Sequence, residues 1–192
     1  MPLKTLVKVG TITNLSDARY CAGMGVDMLG FRVMEGDENH IPIPLYQQIR
    51  GWVSGPKVVA ELYGIKKAED LQPVMVNYVP DLVEMTYTEY LQFGPAIQVP
   101  LIVSLSHDEL IHVAEQHNHI GYWLVDEKHR TALDHYASSK PVLLQIRTKE
   151  EIASATENTS IAGLVLNGSP EIRPGFKNYD ELADILEALE TE

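Results

Sequence analysis

The 192-residue chain has one cysteine, no long hydrophobic run and no excess of positive charge. The single cysteine, Cys21, excludes an internal disulfide bond and fits a reducing cytoplasm. The hydrophobic runs are only as long as strands, so no segment is predicted to span a membrane. Because the formal net charge is −12, we expect no nucleic-acid partner and no anionic membrane surface, whose phosphates the chain would repel.

Linkers, low-complexity segments and a signal-peptide pattern are also lacking. Residues 1–6 run directly into a predicted strand without the regions typical of a signal peptide, which favours a cytoplasmic location. Hydrophobic residues make up 45% of the chain and charged residues 22%, a composition typical of globular proteins. We therefore predict one folded domain over residues 1–192, large enough to bury a substantial core.

What the chain does contain is a repeated strand–helix unit. In the first unit a strand at residues 6–12 leads through the polar cap Thr13-Asn14 into a helix at 16–24 and a second strand at 28–33. Further strands are predicted at 57–63, 82–86, 101–105, 121–126, 141–146 and 163–166. Helical segments are predicted at 44–53, 68–76, 88–93, from Ser106 onward, 130–137, 150–155 and 179–189. Alternating strands and helices indicate a parallel sheet, either open and doubly wound or closed. Eight units favour the closed form, so we predict a compact (β/α)8 TIM barrel of the α/β class.

Several predicted strands carry polar or charged residues within otherwise apolar sequence. They are Lys8, Arg32, Glu61, Glu84, Asp126, Gln145 and Asn167. In a barrel these side chains can point into the interior near the C-terminal mouth, where the chemistry of this fold is located. Buried charges are costly unless they are paired, which leaves two explanations. Either Lys8 and Arg32 neutralise the three carboxylates in a structural ion-pair network, or the group binds a substrate.

Motifs at both ends of the chain resemble those of a known enzyme family. The N-terminal motifs are Lys8-Val-Gly-Thr-Ile-Thr-Asn14, Asp17-Ala18 and Gly25-Val-Asp-Met-Leu-Gly-Phe31. The C-terminal motif is Asn167-Gly-Ser-Pro-Glu-Ile-Arg-Pro-Gly-Phe-Lys-Asn178, and Leu124-Val-Asp126 ends the sixth predicted strand. These motifs resemble those of phosphoribosylanthranilate isomerase, an enzyme of tryptophan biosynthesis, and the likeness extends along the whole chain at matched strand positions.

The resemblance implies an Amadori rearrangement, the reaction of an intramolecular oxidoreductase of the aldose–ketose isomerase type. A general acid helps to open an aminoribose ring, and a general base then removes the C2′ proton. Asp126 matches the general acid, and an aspartate in a barrel mouth can have the raised pKa that this role requires. Asn167, Gly168 and Ser169 keep the character of a phosphate-binding loop. Lys8 and Arg32 complete the predicted substrate-binding residues, and no cofactor is predicted.

The chain departs from the family pattern at the catalytic base. The family has a cysteine at the position of Gly10, and glycine can perform no proton chemistry. Cys21 lies in the first predicted helix, where a small buried cysteine is the ordinary interpretation. A base would therefore have to be relocated, with Glu61 and Glu84 as candidates. The phosphate-binding Gly-Gly after the seventh strand is also replaced, by Gln145-Ile-Arg-Thr148.

Three functions remain open from the sequence. The first is a divergent isomerase with Asp126 as acid and a relocated base. The second is a catalytically silent relative that binds a small anionic metabolite or a partner protein. The third is an enzyme that uses Lys8, Glu61, Glu84 and Asp126 on another small anionic substrate. In each case we expect a monomer or a homodimer, and the spacing of the seven histidines predicts no metal site.

Overall fold

Eight parallel strands pair in chain order and close into a barrel. The structure, a computed structural model, describes residues 3–112, 119–135, 140–157, 160–168, 171–173, 176–177 and 180–191. The barrel strands are β1 (Leu6–Gly10), β2 (Met28–Arg32), β3 (Lys57–Glu61), β4 (Leu82–Thr86), β5 (Leu101–Leu105), β6 (Ile120–Asp126), β7 (Val142–Gln145) and β8 (Ile161–Asn167). The predicted (β/α)8 barrel is therefore confirmed.

Helices connect successive strands on the outside of the barrel. They are α1 (Leu15–Gly23), α2 (Ile43–Trp52), α3 (Leu71–Tyr78), α4 (Tyr87–Phe93), α5 (His107–His112), α6 (Glu151–Glu157) and α7 (Asp180–Ala188). The helical segment predicted at 130–137 is present as a 3-10 helix, which spans Glu127–His135 and so begins three residues earlier than predicted; residues 136 and 137 lie outside the described residues. Short 3-10 turns also lie at Ala68–Asp70 and Gly94–Ala96. Within the described part of the chain, no helix is long and apolar enough to cross a membrane.

Local sequence explains where several helices begin. The Asn14 side chain accepts a hydrogen bond from the backbone N–H of Asp17, so it caps α1 as predicted. Thr86 and Glu89 form a reciprocal capping box at the start of α4, so the last residue of β4 is also the N-cap residue of α4. Because such caps follow directly on the strands, the connections at the C-terminal end of the barrel can be short.

Alternation along the strands separates an inner from an outer core. Strands β2 to β8 each place one apolar residue in a cluster inside the barrel: Met28, Val59, Leu82, Ile102, Leu124, Leu143 and Val165. The residues that alternate with these along the strands face the helices and form the outer core. In β1, Val7 and Val9 belong to this outer core. Lys8 lies between those two valines and is 1% exposed, so β1 directs a lysine into the barrel interior.

A small antiparallel hairpin follows the barrel. Its strands are β9 (Glu171–Arg173) and β10 (Phe176–Lys177), and it comes between β8 and α7. The sequence patterns did not predict it.

Candidate functional site at the barrel mouth

The strand register brings the predicted interior charges together. Arg32 at the end of β2 pairs in register with Glu61 at the end of β3, and Glu61 pairs with Glu84 of β4. Residues that are opposite each other on neighbouring strands point to the same face of a sheet. Three charged side chains therefore enter the barrel at one level, above the apolar cluster.

Lys8 lies at the centre of this group. Its Nζ atom donates a hydrogen bond of 2.6 Å to Oε1 of Glu61 and lies 2.8 Å from Oε2 of Glu84. All three side chains are buried. An isolated charge would be unstable there, so the ammonium and the two carboxylates stabilise one another. The ion-pair network that the sequence predicted is present for these three residues.

Arg32 and Tyr63 extend the network toward solvent. The Nε atom of Arg32 lies 3.2 Å from Oε2 of Glu61, and its guanidinium lies over the ring of Tyr63, 4.4 Å from the ring centre. The hydroxyl of Tyr63 donates a hydrogen bond of 2.8 Å to Oε1 of Glu84. Arg32 also lies 3.6 Å from Asp37 in the β2–α2 loop. We call Lys8, Arg32, Glu61, Tyr63 and Glu84 the buried cluster.

Burial and charge shift the pKa values of the buried cluster. Burial lowers the pKa of Lys8, but the charges of Glu61 and Glu84 outweigh this effect and raise it above its usual value. Burial raises the pKa of Glu84, and Glu61 raises it further, against the opposing effect of Lys8. Burial and the charge of Glu84 raise the pKa of Tyr63 well above its usual value. Lys8 therefore stays charged, and Glu84 gains a proton more readily than an ordinary glutamate does.

Gly10 and Gly30 provide the space that Glu61 occupies. A Cβ atom added at Gly10 would lie 2.5 Å from Oε1 of Glu61 and 3.0 Å from Nζ of Lys8. A Cβ atom at Gly30 would overlap the same carboxylate oxygen and lie 3.0 Å from Cα of Gly10. Both glycines are required by close approach, and the side-chain space of residue 10 is filled by a carboxylate.

The first residue after Gly10 is strained and holds the same carboxylate. Thr11 has a φ of 56°, in the left-handed region that β-branched residues rarely adopt. Its backbone N–H donates a hydrogen bond of 3.2 Å to Oε2 of Glu61. Glu61 thus accepts from Lys8 and Thr11 and is paired with Arg32, so both of its carboxylate oxygens are already engaged.

Asp126 is not part of the buried cluster. The Arg147 guanidinium donates to both of its carboxylate oxygens, at 3.2 and 2.5 Å, and Nζ of Lys128 lies 3.9 Å away. The hydrogen bond from Arg147 lowers the pKa of Asp126 below its usual value, against the opposing effect of burial. The raised pKa that we expected for this residue is wrong. The expectation that Lys8 or Arg32 neutralises it is also wrong, because Arg147 does so.

The predicted phosphate-binding loop has its first backbone donor engaged. The N–H of Gly168 donates a hydrogen bond of 2.8 Å to the carbonyl oxygen of Gly10, which joins the end of β8 to the end of β1. Asn167 is exposed, and its Oδ1 atom accepts a long hydrogen bond of 3.5 Å from Gln145. Ser169 lies outside the described residues.

Sequence reasoning missed two residues of this site, Tyr63 and Arg147. Each lies two residues beyond an inward-facing polar residue, Glu61 and Gln145 respectively, just past the end of its observed strand. Tyr63 is the last residue of the strand predicted at 57–63, and Arg147 directly follows the one predicted at 141–146, so following the alternation to these positions would have found both. Among the described residues, no three His, Cys, Asp or Glu side chains form a group that could hold a metal ion.

The arrangement of the strands and helices can be compared with that of solved barrels. The fold is that of phosphoribosylanthranilate isomerases. The enzyme from Thermus thermophilus superposes with a TM-score of 0.75 at 18% identity, over 96% of this chain and 98% of that one. TrpF from Jonesia denitrificans gives 0.78 at 17% identity, over 96% of each chain. The enzyme from Pyrococcus furiosus gives 0.68 at 13% identity, over 96% of this chain and 98% of that one.

These comparisons establish the fold, and the predicted structural resemblance is confirmed. No protein-family model and no curated protein matches the sequence. Barrels of other activities also superpose, among them a type I 3-dehydroquinate dehydratase from Clostridium difficile with a TM-score of 0.62 at 12% identity. Because barrels with different chemistry share this architecture, function has to be argued from the residues of the mouth.

Proposed function

We propose that this chain is an isomerase-type barrel that does not catalyse the Amadori rearrangement and instead binds a small anionic metabolite at its mouth. The position of Glu61 carries this proposal. Its carboxylate fills the space of a side chain at residue 10, which is where the isomerase motif has its cysteine base. The base is therefore absent, and a network of buried charges occupies its place.

Asp126 supports the same conclusion from the acid side. A general acid must hold a proton near neutral pH, whereas the ion pair with Arg147 favours the ionised form of Asp126. Neither the acid nor the base of the implied reaction has the protonation state and position that it needs. Binding of an anion, in contrast, is supported by Arg147 and Lys128, which are 54% and 66% exposed beside Asp126.

An isomerase assay tests the loss of activity. Purified protein is incubated with phosphoribosylanthranilate, and the Thermus thermophilus enzyme serves as a positive control. We expect no turnover above the uncatalysed rate and no rescue of a tryptophan auxotroph that lacks the isomerase. We expect the same of Gly10→Cys combined with Glu61→Ala, which restores the thiol and makes room for it. Turnover by the unmodified protein would refute the proposal.

Anion binding is tested with inorganic phosphate as the probe. We expect Arg147→Gln to weaken phosphate binding and Asp126→Asn to strengthen it, because the carboxylate competes with the anion for the guanidinium. A catalytic acid would give a different result, since its loss would abolish turnover without improving anion affinity. Phosphate affinity that is unchanged in both variants would contradict a site at the mouth.

The second candidate is an enzyme with other chemistry that uses Glu84 for proton transfer. The raised pKa of this carboxyl, caused first by burial, is the observation that favours it. Glu84→Gln keeps the shape of the side chain and removes its proton chemistry. If Glu84 transfers protons, Glu84→Gln should lose ligand binding or turnover. If the network is purely structural, the same variant should change only the stability of the protein.

We further propose a cytoplasmic protein that is a monomer or a homodimer. The single, buried Cys21 supports a reducing compartment. The structural neighbour from Thermotoga maritima is described as a dimeric isomerase from which monomers were generated. Sedimentation of the purified chain at several concentrations would distinguish the two oligomeric states.

A further inference from the structure

A cavity of about 770 Å³ lies beside the barrel mouth, between α2 and α3. It is bounded by the β2–α2 loop and the start of α2 on one side, and by the β3–α3 loop and α3 on the other. Lys8, Glu61, Glu84 and Asp126 do not line it. The volume is typical of small-molecule sites. The proposed anion site and this cavity are therefore separate places on the same face of the barrel.

Two facing walls of the cavity are apolar and held in place. Pro42, Ile43 and Pro44 line it from α2, and Pro73 and Val74 line it from α3. Prolines restrict their backbone, so these walls lose little conformational freedom when a ligand binds.

Two tyrosines join the helices behind these walls. The Tyr78 hydroxyl donates a hydrogen bond of 2.8 Å to the carbonyl oxygen of Ile41, and the Tyr46 hydroxyl donates one of 2.5 Å to the carbonyl oxygen of Tyr78. The bonds run in both directions between the α2 segment and α3. The cavity is therefore formed before any ligand enters.

Charge decides which ligand suits the cavity. Glu35, Asp37 and Asp70 line it together with one lysine, Lys66, and Asp37 is paired with Arg32. Even with Arg32 counted, the carboxylates outnumber the cations around a partly enclosed space, which disfavours an anion and favours a cation. The chain as a whole is also acidic, with a net charge of −12, so an approaching cation is attracted from outside.

We propose that this cavity binds a small organic ammonium ion with an apolar or aromatic body. The body packs between the proline-rich walls, and the ammonium group lies among the carboxylates. The ligand also contacts Tyr63, which lines the cavity and donates to Glu84 of the buried cluster.

Three probes with a similar phenylalkyl body and different charge test the proposal. They are phenylethylamine, which is a cation near pH 7, the neutral phenylethanol and the anionic phenylpropionate. By calorimetric titration we expect phenylethylamine to bind with a dissociation constant of about 1 mM or tighter, and the other two at least roughly tenfold more weakly. Equal affinities, or no binding of phenylethylamine, would overturn the proposal.

Variants place the binding in this cavity. Asp70→Asn is expected to weaken phenylethylamine binding at least threefold, and Asn77→Trp, which fills the cavity from α3, to abolish it. Glu181→Gln removes an exposed carboxylate from α7 and serves as the matched control, with unchanged affinity expected. Each variant is checked for an unchanged far-UV spectrum. Unchanged affinity in a folded Asn77→Trp protein would refute the site, whereas phosphate binding at the mouth would stand independently.

Discussion

Replacing Gly10 by alanine tests whether Glu61 occupies the space of residue 10. The added Cβ atom would lie 2.5 Å from Oε1 of Glu61, whereas an ordinary contact begins at 3.4 Å, so the carboxylate has to move by about 0.9 Å. Movement of that size costs it the hydrogen bond to Lys8 or the one to the N–H of Thr11. Buried overpacking costs about 1–3 kcal/mol. A lost charged hydrogen bond costs about 1.5–3 kcal/mol.

The expected net loss of stability is measurable. Alanine in place of a strand glycine regains about 0.5–1 kcal/mol of chain entropy, which leaves a net cost of about 1.5–5.5 kcal/mol for Gly10→Ala. For a chain of this length, 1 kcal/mol shifts Tm by roughly 2–4 °C, so we expect Tm to fall by roughly 3–22 °C. Urea titration and calorimetry measure the two quantities. Gly51→Ala, whose added Cβ atom meets nothing within 4 Å, is the control and is expected to be neutral or stabilising.

A double-mutant cycle separates the clash from other effects of the methyl group. In a Glu61→Ala background the space is empty, and Gly10→Ala should cost less than about 1 kcal/mol. In a Glu61→Gln background the side chain keeps its shape, and most of the cost should remain. Gly30→Ala should stay costly in both backgrounds, because its Cβ atom would also lie 3.0 Å from Cα of Gly10. The same cost for Gly10→Ala in all three backgrounds would refute the reasoning.

Three further substitutions follow from the charges of the mouth. Lys8→Met leaves buried Glu84 without its cationic partner and Glu61 with Arg32 alone, and it should cost about 3–5 kcal/mol near pH 7, measured by urea unfolding. A cost below about 1 kcal/mol would contradict the pairing. Asp126→Asn should cost at most about 1 kcal/mol, because its arginine partner is half exposed. Folding lowers the pKa of Asp126, so its contribution to the free energy of unfolding is present above about pH 3.9 and is lost as the pH falls below that value. The stabilities of Asp126→Asn and the unmodified protein should therefore converge in acid. Tyr63→Phe removes a hydrogen bond that lowers the pKa of Glu84, so NMR titration of that carboxyl should give a still higher pKa; an unchanged value would argue against the bond.

The fold could be predicted from local patterns because each unit carries its own signals. Every barrel strand was located to within two residues at each end, and eight helical segments follow the strands. Hydrophobic runs, caps such as Asn14 and glycine stops act over a few residues, so they are visible in the sequence. The helical segment after β6 begins three residues earlier than predicted, and its hydrophobic pattern did not show that it is a 3-10 helix.

The site could be predicted only in part, because its chemistry depends on which side chains meet. Lys8, Glu61 and Glu84 were identified as interior charges, and the ion pairs between them are present. Asp126 was placed correctly at the end of β6, but its pKa was predicted in the wrong direction. Its partner Arg147 is 21 positions away in the chain, in the loop that follows the neighbouring strand β7. No local pattern indicates that contact.

The sequence by itself determined the barrel, the inward-facing charges and the glycine at the position of the cysteine base. These features depend on residue type and on spacing along one strand. Only the tertiary structure decided that Glu61 fills the space of residue 10, that Asp126 is neutralised by Arg147, and that a cavity opens between α2 and α3. Each of these depends on the register and packing of segments that are distant in the chain, and strand register is set by the closed barrel as a whole.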